Sequence, residues 1–228
     1  MLRILTQLAL GVTAIMLITS YKYLPLVYNL RFYRLPIKYV IFKKQHFRTK
    51  PQRINSTNQH ELFDIVTRKS FCCPLECDFF GFHKNNATYS TELDMCRAEL
   101  SLNRFGTYLV NQVDKKGASG FPYIPLGSLV IHFLEDIKPF ERYIMDSRIL
   151  TWNEKWVFTL TVIRVGNRVC SISVAKMVFK NGRITIRPKE IIEGCGYDVK
   201  ALEDVRARNF KLVTEIVDAT ELLDSKFE

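Results

Sequence analysis

Between residues 127 and 180 the chain repeats one device four times: a run rich in β-branched and aromatic residues, closed by a short cluster of turn formers. The runs are 127–135, 142–151, 156–165 and 168–180, with turns at Lys138-Pro139, Trp152-Asn153, Gly166-Asn167 and Asn181-Gly182. This alternation predicts an antiparallel meander, finished by a short strand at Arg183–Arg187. Residues 63–75 read as a first strand. From Asn85 to Phe105 the period changes to that of a helix, with Tyr89, Leu93, Cys96, Leu100 and Phe105 near one face and Gly106 as its expected stop. Asp198 to Leu223 reads as a charged C-terminal helix with Val205, Phe210, Val213 and Ile216 turned inward. One long helix with a twisted antiparallel sheet is the α+β class.

A chain of 228 residues has room for one sizeable core and an appendage. With 47% hydrophobic and 25% charged residues it is globular rather than disordered. The net charge of +10 directs attention to anionic partners. Nucleic acid is not among those expected, because no zinc-finger, RNP or helix-turn-helix pattern is present. Cys72, Cys73, Cys77, Cys96, Cys170 and Cys195 form no CxxC pair and no metal-ligand spacing with any histidine, so they are expected as free buried thiols.

Leu5 to Leu24 is mostly apolar and, as a helix, would span about 30 Å, close to the hydrocarbon thickness of a bilayer. Lys22 is placed to snorkel, and Tyr21, Tyr23 and Tyr28 fit an interfacial belt. Basic residues crowd the C-terminal side of this stretch, which by the positive-inside rule puts the following domain in the cytosol. The expectation is an N-terminal transmembrane helix over residues 1–28, in the endoplasmic reticulum membrane, with a mitochondrial membrane as the alternative. Residues 29–59 then form a basic connector whose Phe32, Tyr33, Tyr39, Val40, Ile41 and Phe42 lie in the membrane interface.

The chemistry concentrates in residues 76–89, where Glu76, Asp78, His83, Asn85, Asn86 and Tyr89 alternate with apolar side chains. Helix capping accounts for an Asn at this place but not for the acid, the histidine and the phenol. These residues resemble the motif of the hotdog-fold acyl-CoA thioesterases, in the 4-hydroxybenzoyl-CoA thioesterase-like branch: an Asp, a His, then Asn-Asn and an aromatic residue opening a central helix. Residues 125–133 are similar to that family's second strand, and 137–143 to the turn into its third. The Trp152-Asn153-Glu154-Lys155-Trp156 hairpin resembles that of membrane-anchored animal and fungal members known as thioesterase superfamily member six-like proteins.

The resemblance covers about residues 60–190 and implies a hotdog domain there, a long helix wrapped by the sheet, followed by a C-terminal helical extension over 191–228. It implies an acyl-CoA substrate, no cofactor and no metal, and a homodimer or higher oligomer with active sites at the interface. Asp78 is the expected base or nucleophile, with His83 and Asn86 orienting the carbonyl or water. Asn85 and Tyr89 contact substrate, and Glu92 on the helix is a second candidate carboxylate. The N–H groups at the start of the helix supply an oxyanion site. Lys155, Arg164 and Lys176 are available for a CoA phosphate.

The five steps from Asp78 to His83 are one more than relatives with this motif carry, which points to an inserted residue such as Gly81 at a bulge. The same spacing resembles the hotdog enoyl-CoA hydratases, although the Asn and Pro of that family are absent here. A third reading is a membrane-tethered module that binds acyl-CoA or a partner protein without turnover.

Overall fold

The computed structural model describes residues 2–49, 56–78, 82–116 and 122–214. Its centre is α4 (Asn86–Lys116), 31 residues and about 46 Å long, laid along one face of an antiparallel sheet. The strands are β1 (Val66–Phe71), β2 (Leu126–Phe133), β3 (Arg142–Trp152), β4 (Trp156–Val165) and β5 (Arg168–Asn181), in the spatial order β1-β3-β4-β5-β2. β6 (Ile184–Ile186) folds back on the end of β5. The α+β class with a helix against an antiparallel sheet fits the hotdog fold, and the four predicted runs match β2 to β5 to within two residues at each end.

Alternation places Tyr143, Met145, Ser147 and Ile149 of β3 on the helix side, the last three opposite Ile163, Thr161 and Thr159 of β4. Near the start of α4, Tyr89, Leu93 and Cys96 pack on Tyr143, Met145, Ile163 and Cys170. Further along, Leu100, Phe105 and Tyr108 pack on Ile149, Trp152, Met177 and Phe179, with Phe105 edge-on to Phe179 at 5.1 Å. Between these clusters the sheet presents small hydroxyl residues. Ser147, Thr161 and Ser173 lie in register across three strands, and the Ser147 and Thr161 hydroxyls bond at 2.9 Å. Small side chains there let the helix approach the sheet, and the Ser173 hydroxyl is satisfied by donating to Thr161 O at 3.3 Å.

Several expectations are corrected. The expected transmembrane helix is not found: among the described residues no helix is long and apolar enough to cross a membrane. α1 (Leu2–Thr19) ends in a turn at Tyr21–Tyr23, and Lys22 does not snorkel but is buried in the domain. The segment after it is divided between surface and core. α2 (Val27–Pro36), a π-helical turn (Ile37–Phe42) and α3 (Lys44–Thr49) lie across the outer face of α4, burying Leu35, Tyr39 and Phe47 against Met95, Leu102, Leu109 and Val110. Tyr33, Ile41 and Phe42, expected beside Tyr39, remain exposed.

Gly106 does not stop α4, which runs ten residues beyond it. A Cβ there would lie 2.5–2.7 Å from three ring carbons of Phe47, so the glycine permits α3 to pack rather than the helix to end. The C-terminal region holds two short helices where one was expected, α5 (Pro188–Gly194) and α6 (Glu203–Phe210). Ile191 and Ile192 of α5 enter the core, Val213 is fully buried beside Phe158, and Ile216 lies outside the described residues.

Candidate active site

The loop joining β1 to α4 is fastened at both ends. The Cys72 N–H donates to Glu141 O at 2.9 Å, and Pro74–Glu76 forms a 3-10 turn in which Glu76 accepts from the Cys73 N–H at 2.8 Å. Asp78 and His83 then face each other, the Asp78 N–H donating to His83 O at 2.9 Å and the Phe82 N–H donating back to Asp78 O at 3.2 Å. These bonds bring the backbones of Asp78 and His83 side by side at the two ends of the segment. Gly81 lies outside the described residues.

Asn85 joins the loop to the helix. Its Oδ1 accepts from the Ala87 N–H at 2.8 Å, an N-cap bond, while its Nδ2 donates to Asp78 Oδ1. The Asp78 carboxylate is thereby held beside the positive end of α4. The Asn86 N–H has no partner among the described residues, and the Asn86 side chain is exposed. His83 Nδ1 donates to Lys84 O at 3.2 Å, a bond to a carbonyl that leaves Nε2 as the acceptor of the neutral ring. Asp78, His83, Asn85 and Asn86 thus meet at one end of α4.

Tyr89 and Glu92 do not join them at the surface. Tyr89 is a core residue, edge-on to Phe133 at 5.1 Å, and burial pushes its phenol up. Glu92 is fully buried, with Arg31 bonded to both carboxylate oxygens at 2.8 and 3.0 Å and Lys22 at 3.5 Å. Glu76, also fully buried, pairs with Lys84 and, at 2.8 Å, with Lys22. Burial works to raise the Glu76 carboxyl, but the Lys84 and Lys22 ammonium groups outweigh it and hold it below the ordinary glutamate range. Burial, then the charges of Glu92 and Glu76, push the Tyr143 phenol well up. Sequence reasoning missed this network because Lys22 and Arg31 reach it from the N-terminal segment. The one local signal was Glu76, set between Leu75 and Cys77.

The thiols of the loop are disfavoured as thiolates. Burial, reinforced by Glu76, pushes Cys73 up to about 12, and burial also raises Cys72 and Cys77. Among the described residues no group of three or more His, Cys, Asp or Glu could hold a metal ion. Arg164 is paired with Asp146, while the Lys155 and Lys176 ammonium groups sit over the Trp156 ring at 4.7 and 4.6 Å.

The rim of the site is apolar and strained. Phe82 is 72% exposed with φ +48°, and Phe140 is 59% exposed with φ +67°. Their loops are joined by the Lys84 N–H donating to Ile137 O at 2.7 Å. Bulky residues in the left-handed region cost of order 1–3 kcal/mol and collect at functional sites. A separate apolar cavity of about 380 Å³ lies farther along α4, between Phe32, Ala98, Leu102, Ile124 and Met177, and none of the four clustered residues lines it.

A long helix laid on an antiparallel sheet of this strand order fits the hotdog class. The relatives agree. "Probable thioesterase YBR096W" of Saccharomyces cerevisiae is 36% identical over 202 residues, covering 87% of this chain and 85% of that protein. "Probable thioesterase atnL" of Emericella nidulans is 26% identical over 226 residues, covering 84% of this chain and 72% of its own length. The chain belongs to the hotdog-fold thioesterase superfamily. Among solved structures, a DHNA-CoA thioesterase from Staphylococcus aureus is similar with a TM-score of 0.49 and 13% identity, covering 64% of this chain and 94% of that one. No family model matches the chain.

Proposed function

We propose that this protein hydrolyses an acyl-CoA thioester at the N-terminal end of α4. The observation that carries the reading is the bond from the Asn85 cap to Asp78, which fixes a half-buried carboxylate at the start of α4, where the Asn86 N–H has no partner among the described residues. The thioester carbonyl would accept from that N–H, where the helix end favours developing negative charge. Asp78 would then take a proton from water as the water adds to the carbonyl carbon, or attack the carbon directly to form an anhydride that water hydrolyses, the CoA thiolate leaving in either case. His83 Nε2 would orient the water, and Phe82 and Phe140 would shield the acyl group. Glu92 is assigned to anchoring the N-terminal segment, since Arg31 occupies both of its oxygens.

The relatives' names support the thioesterase reading over hydration of an enoyl-CoA. A second copy of the chain would complete the cleft along the open edge of β2, beside the exposed Phe133 and Leu134. The exposed apolar α1 and the basic residues after it support attachment at the cytosolic side of the endoplasmic reticulum membrane.

The test is hydrolysis of an acyl-CoA chain-length series by the purified full chain, with thiol release as the readout. Turnover that disappears in Asp78→Asn with the fold preserved supports the proposal. Binding of acyl-CoA with no turnover of any member would leave a binding module in its place.

A further inference from the structure

α1 and the cleft at its foot have no part in thioester chemistry. α1 exposes Ile4, Leu8, Ile15 and Ile18, each more than 60% accessible, and it meets the domain at the Pro74–Glu76 turn, where Ser20 Oγ accepts from the Leu75 N–H at 3.3 Å. A helix with so much unburied apolar surface needs a non-aqueous neighbour. Directly after it, a cleft of about 450 Å³ opens between α2 and β1.

The walls of that cleft carry Lys22, Arg31, Arg34, Lys38, Arg68 and Lys69. Three carboxylates answer these six cations. Glu92 and Glu76, the latter shared with Lys84, hold Lys22 and Arg31, while Glu99 takes Arg68 at 2.7 Å and Lys38 at 3.7 Å, so seven cations face three carboxylates once Lys84 is counted. Arg34 and Lys69 are exposed and have no ion-pair partner among the described residues. Arg31 Nη1 and Arg68 Nε are buried donors without an acceptor among the described residues. A buried guanidinium N–H left unbonded is costly, and phosphate oxygens match its geometry.

We propose that this cleft binds the phosphate groups of anionic phospholipids while α1 enters the apolar layer of the same leaflet, docking the protein on a negatively charged membrane. The position of the cleft selects lipid over soluble phosphate. Lys22 follows the last residue of α1, Thr19, by three positions, so the phosphates nearest the cleft belong to the interface that receives the helix. The apolar helix supplies the affinity for a bilayer, and the cleft supplies the preference for charge.

Flotation of the full chain with vesicles of phosphatidylcholine alone, or mixed with phosphatidic acid, tests this. Tighter binding to the mixed vesicles, weakened by salt, is expected. The double variant Arg34→Gln, Lys69→Gln is expected to bind the mixed vesicles about thirtyfold less well. Its binding to neutral vesicles, its melting temperature and its acyl-CoA hydrolysis should be unchanged. Ile15→Glu should weaken binding to both vesicle types. Equal binding of wild type to the two compositions, or undiminished binding by the double variant, overturns the proposal. Displacement of the wild type from the mixed vesicles by saturating coenzyme A overturns it as well and reassigns the cleft to a soluble phosphate ligand. Failure of the thioesterase reading alone would leave every flotation result unaltered.

Discussion

Asp78 and Glu92 stand at the same end of α4, one in the loop before it and one almost two turns inside it. Asp78 is half-buried, with a neutral carboxamide on one oxygen. Glu92 is fully buried, with a guanidinium across both oxygens and an ammonium beside them. The difference is one of spare capacity. A carboxylate with a free lone pair at an accessible place can take a proton or attack a carbonyl, whereas one enclosed by cations has its acceptors filled. Its removal would strand those cations in the interior. Sequence offered both as candidates for one job, and the surroundings separate them.

The largest expected effect breaks that comparison from the loop side. Asp78→Asn replaces charge by an isosteric amide, and loss of a base or nucleophile lowers kcat by about two to four orders of magnitude. Circular dichroism and melting should stay close to wild type, since Asp78 is held by the loop backbone. Glu92→Gln should do the reverse. Removing one partner of a buried ion pair costs about 3–5 kcal/mol, so denaturant unfolding should shift strongly while hydrolysis per folded molecule is retained. If Glu92→Gln folded normally and lost turnover, the two roles would have to be exchanged.

Acid sharpens the same contrast at Glu76. Its folded-state value lies below the ordinary 4.5, so its contribution to stability is complete above that pH and declines as pH falls through it toward the lower folded value. Melting temperature measured from pH 6 downward should therefore drop below about pH 4.5, and Glu76→Gln should flatten that acid limb by up to about one proton. An unaltered acid slope in the variant would show that the network beneath the loop is not what acid dissolves.

The sheet was legible because each strand carries its own punctuation. Gly166 and Gly182 adopt φ of +56° and +58° at the turns where their sequence placed them, and Asn153 accepts from the Lys155 and Trp156 N–H groups at 3.0 and 2.7 Å in its hairpin. The Asn85 link between loop and helix was legible for a similar reason: it lies within nine residues of sequence that run from Asp78 to Asn86, and a cap rule ties an Asn to the helix start. The clamp on Glu92 was not. Its partners lie 61 and 70 positions away, and no periodicity connects them. α1 misled in the opposite way, since an apolar run has the same composition whether it spans a bilayer or ends short of it. Lys22, read as a residue reaching for headgroups, has its charge consumed by Glu76 and Glu92.

The smallest expected effect concerns the other cover on α4, the apolar one that α2 and α3 lay across its outer face. In an unobstructed helix interior, Gly→Ala stabilises by about 1 kcal/mol through propensity alone. At Gly106 the added methyl would sit 2.5 Å from a ring carbon of Phe47, and overpacking of that kind costs about 1–3 kcal/mol. The two terms oppose each other, and Gly106→Ala should come out destabilised by about 1 kcal/mol. Removing the obstacle decides between them. On a Phe47→Ala background the same change should become stabilising, because only propensity remains, and the sign reversal is readable in paired denaturant melts. Were Gly106→Ala stabilising with Phe47 in place, α3 would not press on the helix there, and the N-terminal segment would be held to α4 by its other contacts, Leu35 and Tyr39 in the core and the Arg31, Lys22 and Arg48 ion pairs.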